Sequence, residues 1–206
     1  AFAKAKERDL RNIKTWYTDA NAANLEKIFN TYIQLNNRQE LIRPLLPLKL
    51  LNEGRDATFS FDDYSNDLVD SKNMLSNHLY TNSKNTLKNA SKMEARNVYE
   101  DLVYLNKINP GYKDVSILIE DAQFKGTDFV HVFTKNETNM VIPVRLQNDL
   151  IDFSTYGLND KWTVYHSNRV KDVTYDFGII VNFREIAISP EQIREKEVTQ
   201  EKQIKD

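Results

Sequence analysis

The sequence contains no cysteine, only 5 glycines and 5 prolines in 206 residues, and no long apolar run. Each shortage excludes something. Without cysteine there is no disulfide framework, thiol nucleophile, iron–sulfur cluster or cysteine-based zinc site. The glycines stand apart, so no glycine-rich phosphate loop or Gly-x-Ser-x-Gly nucleophile elbow can form. No stretch approaches the roughly 18 apolar residues of a membrane span. The start, Ala1-Phe2-Ala3-Lys4-Ala5-Lys6, lacks the charged-then-apolar layout of a signal peptide. It begins without Met and already reads as helix, as a mature or trimmed piece of a longer chain would.

An excess of charge of one sign is also missing. Lys and Arg number 28 and Asp and Glu 30, a net charge of −2. Residues 1–126 carry 18 basic and 17 acidic side chains, and residues 127–206 carry 10 and 13. Neither part has a field that would draw a polyanion, so no nucleic-acid partner is expected. What is present suffices for a core, because 40% of residues are hydrophobic.

Periodicity divides the chain. Up to Gly126 the apolar residues recur every three or four positions, the spacing of a helix face. Leu10, Ile13, Tyr17 and Ala20 form one face, and Leu25, Ile28, Phe29, Tyr32, Ile33 and Leu35 a second. Leu41, Ile42, Leu45 and Leu46 make a short segment limited by Pro44 and Pro47. Residues 52–56 read as a loop. A long helix follows Asp62-Asp63, with Tyr64, Leu68, Leu75 and Leu79 on its stripe, and ends near Leu87 or Asn89. Ser91 and Glu94 have the capping-box spacing, each side chain serving the other's backbone amide. Ser91 thus opens the next helix, whose apolar face is Ala95, Val98, Tyr99, Leu102 and Leu105, and Asn109-Pro110-Gly111 stops it. Asp114 is expected to cap the next helix, and Gly126 to end it in a left-handed conformation.

Beyond Gly126 the period changes. Phe129–Phe133 and Trp162–His166 read as strands. Phe177, Ile179, Val181 and Phe183 alternate along a third strand, expected to run on through Ile186 and Ile188. Between the first two strands, Leu146, Leu150, Ile151 and Phe153 suit a helix expected to begin after Pro143 and end at Gly157. The fold class is therefore α+β, helical hairpins followed by a small α/β sheet layer. The expected divisions are 1–126, 127–190 and 191–206. The last begins with the helix-start signature Ser189-Pro190-Glu191-Gln192 and is a charged tail or connector.

Candidate chemistry is thin. His78, His131 and His166 are isolated, whereas a zinc site needs three or four clustered ligands. Asp62, Asp63, Asp67 and Asp70 lack the calcium-loop spacing and suit a helix N-terminus, where negative charge is favoured. No metal or cofactor is expected. Asp128, Asp149 and Asp152 are the carboxylates a hydrolase would use, given two of them in one cleft. Trp16, Tyr17, Phe29 and Tyr32 share a helical register and would pack between helices or line a ligand groove.

Three segments carry a resemblance. Ala95-Arg96-Asn97-Val98-Tyr99-Glu100-Asp101-Leu102, then Ile108-Asn109-Pro110-Gly111-Tyr112-Lys113-Asp114-Val115 and Leu118-Ile119-Glu120-Asp121-Ala122, resemble a tetratricopeptide-like helical hairpin. With Gly126-Thr127 and Ile188-Ser189-Pro190-Glu191, the order over residues 60–195 is similar to cell-envelope lipoproteins of the Bacteroidetes type. That resemblance implies a non-enzymatic scaffold or adaptor in an outer-membrane-associated complex on the periplasmic side. It implies protein partners, and membrane attachment only through a lipid anchor upstream of Ala1. Trp16, Tyr17, Tyr32, Tyr99 and Tyr112 are the expected partner contacts. The alternative is a module binding a glycan or peptide in an aromatic pocket.

Overall fold

The computed structural model describes residues 2–19, 21–50, 53–152 and 158–187. The chain is α+β and divides into two units, Ala1–Thr127 and Asp128–Asp206. Among its described residues the first holds five α-helices: α1 (Phe2–Asp19), α2 (Leu25–Ile42), α3 (Ser65–Thr86), α4 (Lys92–Ile108) and α5 (Val115–Gly126). The second holds β1 (Asp128–Asn136), α6 (Val144–Ile151), β2 (Thr163–His166) and β3 (Phe177–Phe183).

In the first unit each helix packs against its neighbour in sequence, as in helical-repeat proteins. Two apolar clusters result. Ile13, Ile28, Tyr32, Leu35 and Tyr64 join the first three helices. Leu87, Ala95, Val98, Leu102, Leu105, Val115 and Ala122 join the rest. The α4 start is fixed locally. Ser91 Oγ accepts from the Glu94 N–H, and Glu94 Oε2 accepts from the Ser91 N–H at 2.8 Å. Gly111 turns the chain towards α5 at φ 74°, a left-handed conformation that favours glycine.

Two helix-end expectations give way. Asp114 precedes α5 but makes no capping bond; its carboxylate instead takes Lys84 Nζ at 3.1 Å. An ion pair from α3 thus replaces the local cap. Gly126 is the last helical residue and is buried, and the chain leaves through Thr127 in an extended conformation rather than a left-handed one. The Gly126 carbonyl accepts from Arg96 Nε at 2.8 Å.

The long connection from α2 to α3 is pinned at its far end. A short 3-10 turn covers Arg43–Leu45, and Lys49 bridges antiparallel to Asp56. Gln39, 1% exposed, then behaves like a strand neighbour. Its Oε1 accepts from the Asp62 N–H at 2.7 Å, and its Nε2 donates to the Asp62 carbonyl at 2.9 Å. Lys6 pairs with Asp62 at 2.7 Å.

In the second unit the three described strands are parallel, in the order β2-β1-β3. α6 is the crossover from β1 to β2. His131 lies opposite His166 on one side and Gly178 on the other. Val130, Val132 and Ile142 are its buried apolar side chains among the described residues. β3 ends at Phe183, short of the expected Ile186; Ile188 and the tail 191–206 lie outside the described residues. So does the expected helix end at Gly157, α6 itself stopping at Ile151.

Candidate functional site

The five aromatic residues expected at a partner surface fall into two groups. Trp16, Tyr17 and Tyr32 belong to the α1–α2–α3 end. Tyr32 is buried, its ring 6.0 Å from that of Tyr64. Trp16 is half-buried against the same cluster, and Tyr17 is 40% exposed. Trp16 and Tyr17 line a hollow of about 280 Å³ with Leu25, Ile28 and Met74. Burial, with Asp67 close by, holds the Tyr32 hydroxyl well above the ordinary phenol range. Tyr17 is raised by burial and by Asp67 and Asp70.

Tyr99 and Tyr112 pack against the other cluster. Tyr112 stands edge-on to Tyr80 at 5.8 Å. Lys113 Nζ lies 4.3 Å from the Tyr80 ring centre and 4.9 Å from that of Tyr112. Cation–π attraction of this kind helps hold the hairpin turn against Tyr80 of α3.

The acidic cluster is absorbed locally. Asp63 Oδ1 accepts from the Ser65 N–H at 2.9 Å and from its hydroxyl at 2.6 Å, which starts α3. Asp62 takes Lys6, and the Tyr64 hydroxyl donates to it at 3.2 Å. Hydrogen bonding holds both carboxyls below the usual range. Among the described residues no three His, Asp or Glu gather as metal ligands.

A larger groove escapes the sequence reading. It measures about 660 Å³ and lies between α1 and the α2–α3 connection, among Phe2, Leu10, Leu50 and Phe59, with Lys6 and Arg55 at its polar parts. Phe59 and Phe61 stack at 6.2 Å, and Phe2 meets both edge-on. These residues are distant in sequence. The only signal was aromatic alternation at Phe59 and Phe61.

In the second unit His131 and His166 are register partners across the β1–β2 pair, and both reach Tyr175. His166 Nδ1 is 2.9 Å from the Tyr175 hydroxyl, and the His131 ring is 5.2 Å from that of Tyr175. Burial, then Arg169 and His166, lower the His131 pKa. The Tyr175 hydroxyl also accepts from the Val170 N–H at 2.9 Å. This knot closes the β2–β3 connection onto the sheet. Asp149 and Asp152 are exposed and line a polar hollow of about 230 Å³ with Asn148, Ser167 and Asn168. Asp128 is outside its lining, at the first residue of β1. The Asp149 carboxylate also faces Arg145 at 3.9 Å.

Apolar side chains are left open in this unit. Val144, Leu146 and Leu150 of α6 are exposed, as are Phe177, Ile179, Ile180 and Val181 of β3. Among the described residues no helix is long and apolar enough to cross a membrane. No family model, curated protein or solved structure matches this chain.

Proposed function

We propose that this chain is a non-catalytic scaffold or adaptor that holds other proteins. One observation carries the reading. A parallel sheet is normally covered on both faces, yet here β3 and α6 leave apolar side chains in solvent. Open apolar surface of that kind marks a site of protein association. The neighbour-on-neighbour helices of the first unit suit a tetratricopeptide-like role, offering Tyr17, Tyr99, Tyr112 and Trp16 to a partner. Tyr32, being buried, would shape that surface from beneath. An envelope complex on the periplasmic side of an outer membrane, reached through an upstream lipid anchor, follows from the sequence resemblance.

The test is a photo-crosslinking residue at Val144, and separately at Tyr17, in the cells that make the protein. A discrete adduct with one protein at either position is expected, with the chain in the outer-membrane fraction. Absence of adducts at both would refute the adaptor role, and a cytoplasmic pool would refute the location.

The groove by Phe2 and Phe59 favours a second reading, a glycan- or peptide-binding module. Its apolar walls with a few polar groups have the form of a ligand site. A panel of oligosaccharides and short peptides that raises the melting temperature, with the gain lost in Phe59→Ser, would support it.

A further inference from the structure

Among the described residues β3 ends the sheet, and its edge carries no guard. Exposed edges are normally blunted by charge, proline or a bulge. Phe177–Phe183 reads FGIIVNF, with no charge and no proline. Phe177 is 60% exposed and Ile180 50%. Among the described residues no strand takes up the outer edge. The Glu137 N–H donates to the Phe183 carbonyl at 2.9 Å, so Phe183 turns its backbone groups to the inner edge. Alternation then turns those of Asn182, Ile180 and Gly178 outward.

The residue order along β3 is close to a palindrome about Ile180. Two copies paired antiparallel about that residue set Phe177 against Phe183 and Ile179 against Val181. Gly178 meets Asn182, and Ile180 meets itself. Aromatic thus faces aromatic, β-branched faces β-branched, and no like charges oppose each other. A twofold interface requires this self-complementarity.

We propose that β3 pairs antiparallel with β3 of a second copy, about Ile180, so that the two sheets become one. The inference rests on the adaptor reading and names one partner, the chain itself. A seven-residue ribbon is narrow beside the ~800 Å² per partner of a standard interface. Association is therefore expected in the micromolar range.

Sedimentation equilibrium of the full chain, from low micromolar to near-millimolar concentration, should show a monomer–dimer equilibrium. Ile180→Lys places two ammonium groups face to face and should leave only monomer, as should Ile180→Glu. Mixing the two variants should restore a dimer, because Lys then faces Glu. Far-UV circular dichroism reports whether each variant keeps its fold, and recovery on mixing excludes misfolding as the cause. A wild-type chain that stays monomeric throughout, or an Ile180→Lys chain that still dimerises, overturns the proposal. Crosslinking to another protein at Tyr17 should survive in Ile180→Lys, so failure of the dimer and failure of the adaptor reading remain separable.

Discussion

Replacing Gln39 by alanine tests how the α2–α3 connection is held. The buried side chain supplies both a donor and an acceptor to the backbone of Asp62, 23 residues away. Each neutral hydrogen bond contributes about 1 kcal/mol net, and more when the freed groups stay buried. Asp62 lies at an exposed position where water can replace one partner. The expected cost is therefore about 2 kcal/mol, near the lower end for two lost bonds plus a small void. Urea unfolding followed by far-UV circular dichroism should show a midpoint about 1 M lower. Trypsin should also cut faster at Lys49 and Arg55, which lie in that connection. Gln39→Glu sharpens the test. A carboxylate can still accept from the Asp62 N–H but cannot donate to its carbonyl. Its penalty should be largest at neutral pH and ease as acid protonates it and restores a donor. A cost below about 0.5 kcal/mol with unchanged cleavage would refute the reasoning. The connection would then be held by Lys6 and the Phe2, Phe59 and Phe61 rings.

Three further outcomes follow from other elements. Ser91→Ala should cost about 1 kcal/mol by chemical denaturation, the worth of an N-cap. The Ser91 hydroxyl and N–H hold the Glu94 carboxyl below its ordinary range. Its contribution is thus present above the unfolded carboxyl pKa and lost as pH falls through the lowered folded value, and Ser91→Ala should flatten that acid dependence. Gly111→Ala should cost about 1 kcal/mol by thermal melting, although an added Cβ meets nothing within 4 Å, because φ is 74°; a neutral result would show that the turn relaxes freely. His131 should titrate below 6.5 by NMR, since its folded pKa is lowered. The unfolded chain takes the proton first, so stability should fall as pH drops through the unfolded histidine value towards the folded one. Titration at or above 6.5 would contradict the burial assigned to it.

Local rules made the helices legible. The Ser91–Glu94 box, the Asn109-Pro110-Gly111 stop and the three-and-four spacing each act within a few residues, and the structure follows them. The residues Ala95, Val98, Leu102 and Leu105, read as one face, are all buried. The failures are places where a distant group outbid a local preference. Asp114 has a capping residue's identity but answers to Lys84 on α3. Gly126 has the freedom to turn left-handed but stays helical, with its carbonyl engaged by Arg96. The candidate sites were less legible for the same reason. Nothing local links Phe2 to Phe59, Gln39 to Asp62, or His166 to Tyr175. Periodicity shows that a residue faces inward and is silent about whom it meets.

The second unit shows where alternation misleads. Phe177, Ile179, Val181 and Phe183 alternate as a strand with one buried face should, yet most of them are exposed. Alternation records the pleat and the face selected to be apolar; burial also needs a second layer. Val130 and Val132 on β1 are buried, while the same pattern one strand over is exposed and has no second layer among the described residues. Desolvating four exposed β3 side chains alone would gain several kcal/mol at about 25 cal/mol per Å². FGIIVNF carries no charge and leaves that gain unrealised within the described residues, and the proposed pairing of two β3 strands would realise part of it. The near-palindrome about Ile180 is the reason a second copy is the partner we propose, because pairing about that residue would set Ile179 beside Val181 and Phe177 beside Phe183.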